Sequence, residues 1–401
     1  MLELNHTEGS SDTSNDEDDN NSTNNSKHDF KVTPWEVEGE IDYNKLIAQF
    51  GTQPITSEII ERIKQVTGEV HPMLKLQYFF SHRDLDWILN KHEEGESFYL
   101  YTGRGPSGMV HIGHMMPWLF TKYIQEKFGS KLLFQLTDDE KFLQTQDRSR
   151  EEIGHYAYEN ILDIIAVGFN PDKTKIILDT RHIQHLYPIA TEIAKRITFS
   201  TAKAVFGFSN STNIGMIGFP PIQAAPCFLP SIIENKPTPV LIPAAIDQDP
   251  YWRVTRDVAE RMGYYKPAQI HSKFLPGLGM VGKMSSSKPE TALFTIDDPE
   301  VIDKKVSAAF TGGQATVALQ RQLGGNALGC PVFWYLRYLF DTERQSDERL
   351  LKCTSGNLLC GECKSDLSKE SQNFLGEFKK RREKAKDVIT EFMFDGAPYE
   401  K

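Results

Sequence analysis

The sequence predicts an α/β protein: a parallel sheet covered by helices on both faces, with a short subdomain before it and a helical domain after it. Two observations lead there. Five short β-type runs, at 97–101, 132–136, 175–178, 240–246 and 269–275, are each followed by a polar or Gly-containing turn and a helical period. Beyond residue 297 only helical periods continue. Strand and helix in alternation favour right-handed crossovers, which lay parallel strands side by side.

The elements follow in order. Residues 1–29 form an Asn/Ser/Asp-rich acidic tail with too few apolar side chains to offset ordering entropy, so disorder is expected there. Residues 30–94 read as an appended subdomain carrying short helical patterns at 45–50, 59–66 and 84–91. The sheet-bearing domain spans 95–296, with an insertion near 151–236 between its two halves. From 297 to 401 the pattern is helical (300–310, 332–340, 374–394), broken by Gly312-Gly313 and Gly324-Gly325. There is no internal repeat.

At 401 residues and 39% hydrophobic content the chain can bury a normal core. No apolar run approaches the roughly 20 residues of a membrane span. The polar, acidic N-terminus has neither a signal-type apolar core nor an Arg-rich transit helix, so a cytoplasmic location is expected. Net charge is −10, and the tail carries enough of it to leave about −3 for the remainder. A near-neutral body can still hold local positive charge for phosphates.

Of five cysteines, Cys353, Cys360 and Cys363 invite a zinc reading, since Cys360-Gly361-Glu362-Cys363 has ligand-like spacing. A structural site needs four ligands in two pairs, and no histidine follows His271, so reduced cysteines and no metal site are expected.

In an open α/β sheet, ligands bind beyond the carboxyl ends of the strands, and the polar motifs of this chain fall there. His111-Ile112-Gly113-His114 follows the first run and opens an amphipathic segment at 115–128, placing two imidazoles, a helix N-terminus and a bare backbone position together. Lys283-Met284-Ser285-Ser286-Ser287 follows the fifth run, after a Gly-containing loop. An isolated His-x-x-His is ordinarily a surface or capping pair, and a Ser-rich loop ordinarily a flexible one; each gains meaning from the other. His111 and His114 suit donation to phosphoryl oxygens, Gly113 lets an adenosine approach, and Lys283 can follow the β- and γ-phosphates. Arg104 and Lys141 are further cations, open also to ordinary ion pairing. Asp138-Asp139-Glu140 could equally be helix-start acids. The basic run Lys379, Lys380, Arg381, Arg382, Lys384 and Lys386 reads as a phosphate track or, somewhat better, as a solvated face paired with Glu383 and Asp387.

The paired motifs resemble the HIGH and KMSKS signatures of class I aminoacyl-tRNA synthetases. Tyr101 to Ser107, Gln135-Leu136-Thr137-Asp138-Asp139-Glu140-Lys141, Phe206-Gly207-Phe208, Ile222 to Pro226, Ala245 to Pro250 and Thr255-Arg256-Asp257 are similar to the tryptophanyl-tRNA synthetases of eukaryotic and archaeal type. The resemblance runs from about Pro34 to the C-terminal helices. It implies a Rossmann-like catalytic domain, a helical anticodon-binding domain, a homodimer, and ATP-dependent activation of L-tryptophan for transfer to tRNA(Trp), with Mg2+ carried on the ATP phosphates.

It further implies His111, His114 and Lys283 as catalytic residues. ATP would be held by these with Arg104, Gly105, Gly113, Asp247, Gln248, Met284, Ser285 and Ser287. Tryptophan would meet Tyr101 and Gln135 at its indole N–H, and Thr137, Glu140, Gln223 and Gln248 at its ammonium and carboxylate. Where the family pattern has an arginine after Gly312-Gly313, this chain has Gln314 and Ala315, so that anticodon contact is not carried over. The tyrosine-specific enzymes share both signatures, and Gln135 is the expected discriminator. A catalytically silent paralogue and a small-metabolite nucleotidyltransferase are the remaining alternatives; the intact motifs argue against the first and the helical C-terminal part against the second.

Overall fold

The computed structural model describes residues 31–32, 37–38, 42–280, 282–286, 288–397 and 399. The tail at 1–29 and Ser287 lie outside the described residues. Nine strands occur among those described. β1 (Lys31–Val32) and β2 (Val37–Glu38) form an antiparallel pair. β3 (Gln53–Pro54), β4 (Phe79–Arg83), β5 (Tyr99–Arg104), β6 (Lys131–Leu136), β7 (Thr174–Leu178), β8 (Val240–Ala245) and β9 (Ala268–Ser272) make one sheet in the order β3-β4-β9-β8-β5-β6-β7. The five strands read from sequence are all present, and β5 to β9 run parallel.

Each central strand sends alternate side chains to opposite faces, as a period of two requires. Leu100, Leu132, Ile176 and Leu241 enter one apolar core; their neighbours Tyr101, Leu133, Ile177 and Ile242 enter the other. Both faces are therefore covered, and the strands read as continuous apolar runs rather than as alternation. Burying one such side chain contributes roughly 1.5–3 kcal/mol, so the two cores hold the sheet rigidly under whatever sits at its edge.

Only helical patterns were expected in residues 34–94, yet β3 and β4 extend the sheet from this segment, β3 antiparallel to β4 and β4 antiparallel to β9. Phe79, Phe80, Ser81 and His82 are all buried, so β4 has no polar face to reveal it. Arg83 fastens it: Nε lies 2.7 Å from Oδ1 of the buried Asp249, and Nη1 donates to the Gly51 carbonyl at 3.0 Å.

The C-terminal helices also differ in extent. The apolar pattern at 374–394 belongs to a longer helix, Cys360–Ala385, followed by a short one, Ile389–Phe392. The first half of the long helix is rich in Ser, Lys and Glu, so periodicity missed it. Its start is set by Glu362, whose carboxylate accepts from the Leu359 N–H at 2.8 Å. The stretch at 332–340 is a helical turn, Pro331–Tyr335, that widens over Leu336–Phe340. Two further helices, Val317–Leu323 and Glu343–Thr354, had no clear sequence signal. Among the described residues no helix is long and apolar enough to cross a membrane.

Candidate active site

β5 continues on one side to β6 and β7; β8 then returns to its other side. The carboxyl ends of β5 and β8 part at this reversal, which is where an open α/β sheet forms its ligand crevice. A cavity of about 860 Å³ lies there. Tyr101, Arg104, Gly105, His111, Gly113, His114, Gln135, Thr137, Glu140, Gln223, Asp247, Gln248, Lys283, Met284 and Ser285 all line it. Every site residue expected from the sequence is thus in one cavity, apart from Ser287, which is not described.

The two distant motifs touch. The backbone N–H of Gly113 points at Met284 Sδ, 3.4 Å away, and a Cβ on Gly113 would stand 3.1 Å from the His111 ring and 3.5 Å from Met284 Cβ. Antiparallel pairing of His111 with Phe294, and of Pro276 with Lys283, holds both segments against the helix start. His111 precedes the helix Ile112–Phe128, and its ring stacks on His114 with centroids 3.5 Å apart. The His111 backbone N–H donates to Nδ1 of His114 at 3.3 Å. Burial first, then the nearby Arg104 guanidinium, push His111 down to about 3 and His114 well below the ordinary histidine range. Both imidazoles are neutral at physiological pH and offer N–H donors rather than charge. Nδ1 of His111 is buried with no hydrogen-bond partner among the described residues.

Positive charge comes from Lys283. Its Nζ is 3.5 Å from Oδ2 of Asp247 and 5.1 Å from the centroid of the Phe274 ring, and the side chain is 33% exposed. It can therefore leave Asp247 for a ligand. Burial raises the Asp247 carboxyl, and the Lys283 ammonium opposes that rise. The loop turns at Gly282, whose φ of +101° is the left-handed region that side chains avoid.

Arg104 is placed differently from the expected phosphate ligand. Nε donates to the Asn160 side chain and Nη2 to the carbonyls of Gly108 (3.2 Å) and Met109 (3.4 Å), so the guanidinium props the loop that leads to His111. Burial lowers it to about 10. The Lys141 side chain packs closely over Gly105, and a Cβ there would come within 2.0 Å of Lys141 Cε and displace that chain. Lys141 pairs with Glu140 at 2.9 Å and Gln144 at 3.1 Å.

At the other end of the cavity the Tyr101 hydroxyl meets the side-chain oxygen of Gln135 and the Gln223 carbonyl, the latter at 2.7 Å. The Tyr101 ring sits edge-on to Trp252, centroids 5.3 Å apart, giving an aromatic wall. Nearby, Thr137 donates to Oε2 of Glu140 at 2.8 Å, and Nε2 of Gln223 lies 3.5 Å from Oε1 of Gln248. Asp138, Asp139 and Glu140 occupy the first turn of the helix Asp138–Gln144, as acids at a helix start would, and Glu140 also lines the cavity. Asp138 turns away to accept from the Thr180 backbone at 3.0 Å.

Asp179 escaped the sequence reading. It is fully buried, and its Oδ1 accepts from Nε2 of Gln135 at 2.7 Å. Burial holds its carboxyl well above the usual range, and the Asp139 carboxylate raises it further. Asp139 itself is pushed up to about 6, chiefly by burial. Asp179 directly follows β7, so the strand-end rule that found the other residues also covers it.

The basic run of the long helix divides: Lys386 pairs with Glu383 on an exposed face, as one reading expected, while Arg381 and Arg382 dock against a neighbouring helix. Arg382 pairs with Glu159 and, at 3.0 Å, with Asp163 on the helix Arg150–Ala166; Arg381 donates to the Ala166 carbonyl at 2.7 Å. Lys379, Lys380 and Lys386 pair with Asp298, Glu377 and Glu383.

A parallel sheet with its crevice at the reversal point, two contacting motifs and a neutral histidine pair define a nucleotide-activating enzyme of the class I synthetase kind. The model of the family described as tRNA synthetases class I (W and Y) matches residues 93–376, and the chain belongs to that family. It is 51% identical over 362 residues to the tryptophan–tRNA ligase of Pyrobaculum calidifontis, covering 90% of this chain and 96% of the relative. It is 53% identical over 372 residues to that of Thermococcus sibiricus, covering 92% and 95%. Among solved structures, the Plasmodium falciparum tryptophanyl-tRNA synthetase superposes with a TM-score of 0.83 at 39% identity, over 90% of this chain and 99% of the other.

Proposed function

We propose that this chain is a tryptophan–tRNA ligase: it joins L-tryptophan to ATP as tryptophanyl adenylate and then esterifies the terminal ribose of tRNA(Trp). The observation that carries the reading is the shared cavity. The Gly113–Met284 contact unites the phosphate end, and Tyr101 with Gln135 forms a polar end walled by Trp252.

The tryptophan carboxylate is already a nucleophile at neutral pH. It attacks the α-phosphorus, a carboxylate–phosphorus bond forms, and pyrophosphate departs with the electrons of the broken P–O bond. No general base is needed, so the protein works by alignment and by charge compensation. His111 and His114 donate neutral N–H groups beside the N-terminus of the helix Ile112–Phe128, where the macrodipole also favours anions. Lys283 exchanges Asp247 for the β- and γ-phosphates, and Asp247 and Gln248 turn to ribose hydroxyls. Mg2+ bound to the phosphates supplies further neutralisation there. Glu140 receives the ammonium of the amino acid, with Gln223 and Gln248 at its carboxylate, while Tyr101 and Gln135 offer oxygens to the indole N–H.

The remaining parts of the reading rest on family resemblance: a cytoplasmic homodimer, a catalytic domain at 95–296, and a helical domain at 297–401 for the anticodon. Amino-acid-dependent pyrophosphate exchange tests the central claim. Exchange is expected with tryptophan and not with tyrosine, and Lys283→Ala should lower it by on the order of 10²–10³ with tryptophan affinity kept. Exchange with tyrosine alone, or a Lys283→Ala loss confined to tryptophan affinity, overturns it.

A further inference from the structure

Four of the five cysteines, Cys330, Cys353, Cys360 and Cys363, line one small cavity of about 20 Å³ in the C-terminal region, together with Gly313 and Arg349. They come from three elements. Cys330 precedes the helix Pro331–Tyr335, Cys353 lies in the last turn of Glu343–Thr354, and Cys360 and Cys363 share the first turn of Cys360–Ala385. The sequence reading set a metal aside for want of a fourth ligand; folding brings Cys330 to the other three.

Buried cysteines can act as small apolar side chains, but three features here go further. The space beside the sulfurs is kept clear by glycine: a Cβ on Gly313 would stand 2.3 Å from Cys360 Sγ, and one on Gly325 3.0 Å from Cys353 Sγ. Arg349, mostly buried and ion-paired with Asp341, brings a guanidinium nitrogen to 3.6 Å from Cys363 Sγ. Cys360 and Cys363 stand three residues apart in the first turn of one helix and both line the cavity. We propose that Cys330, Cys353, Cys360 and Cys363 form a four-thiolate metal centre, holding one zinc ion or an iron–sulfur cluster.

Both species take four cysteine ligands, so the donor chemistry is shared. Among the described residues no three ligating side chains stand ready around a single ion. Either group, on binding, would have to draw the four side chains around one centre. Ligation releases one proton from each thiol to solvent, and no electron is transferred; a cluster enters as a preformed unit of iron and sulfide. The filled centre would clamp the Gly312-Gly313 turn, the Gly324-Gly325 turn and the start of the long helix to one point.

The test is metal and sulfide analysis of the full chain purified without oxygen, with visible absorption alongside. A zinc centre gives about one zinc per chain and no visible band. A cluster gives iron with matching sulfide and broad visible absorption. Cys353→Ser and Cys360→Ser should reduce the metal to background, and Cys227→Ser, which lies in the other apolar core, should retain it. Should a variant fail to fold, chelation of the unaltered chain should expose four further thiols to a thiol reagent. Zinc and iron both at background, metal kept in the two serine variants, or no thiols released by chelation overturns the proposal. Metal content is read without catalysis, so the outcome stands apart from that of the exchange assay.

Discussion

The amide of Gln135 has two ends that differ in hydrogen-bonding sense, and Asp179 decides which one faces the cavity. Because Asp179 accepts from Nε2, the oxygen of Gln135 is turned toward Tyr101, the orientation that the proposed contact with an indole N–H requires. Asp179 is a positioning residue: it does not line the cavity itself and acts through Gln135, which does. Asp179→Asn offers both a donor and an acceptor and so tolerates either amide orientation. It should lower discrimination between tryptophan and its sulfur analogue lacking the N–H by roughly tenfold, the worth of about one buried hydrogen bond. The KM for ATP should stay unchanged, and an unaltered tryptophan-to-analogue ratio in kcat/KM refutes the role. Tyr101, Gln135 and Lys283 were legible because strand ends and motif spacing marked them. Asp179 was not, because an aspartate at a helix start already has an ordinary explanation.

At the scale of elements, the long C-terminal helix is tied to the helix Arg150–Ala166 by charge, and its buried Leu367, Leu375 and Phe378 join the apolar core that also holds Leu100 and Leu132. Arg382 pairs with two carboxylates, one of them on the fully buried side chain of Asp163. Burial pushes Asp163 up to about 6 against the pull of Arg382. Arg382→Ala strands that carboxylate and should cost about 3–5 kcal/mol in urea unfolding, whereas Lys380→Ala, on an exposed pair, should stay within about 0.5 kcal/mol. Equal costs for the two would show that the buried pair adds nothing. Composition gave a run of cations but not their direction, which depends on where the helix meets Arg150–Ala166. β4 was hidden for a related reason: burial on both faces erases the alternation by which a strand is recognised.

For the molecule as a whole, buried histidines set the response to acid. Burial lowers His71 and His271 to about 4 and His111 to about 3, with His114 also well depressed. The folded state thus favours the neutral imidazoles, and the unfolded chain takes up protons first. Their contribution is complete above the unfolded value near 6.5 and is lost as pH falls toward 4 and below, at about 1.4 kcal/mol per unit for each histidine. The raised carboxyls of Asp139 and Asp163 act in the opposite sense over the same range, so the histidine contribution is read against a variant: the denaturant midpoint of the parent should lose more between pH 6.5 and 4 than that of His71→Gln, and identical slopes contradict the neutral-histidine assignment. The parallel sheet and the location of its crevice were legible from strand–helix alternation. The joining of residues 42–94 to that sheet was not, since it depends on contacts between positions far apart in sequence.

That joining has a consequence for how the molecule keeps to itself. Without β3 and β4, the flank of β9 would present a row of unsatisfied amides and carbonyls, a ready template for a neighbouring chain. The leading segment is a selvedge: it finishes the fabric of the sheet, and through Arg83 and Asp249 it is stitched to the helix that begins beside Asp247 and Gln248. Trimming it would fray the cloth next to the reaction chamber and invite clumping before any slowing of the chemistry.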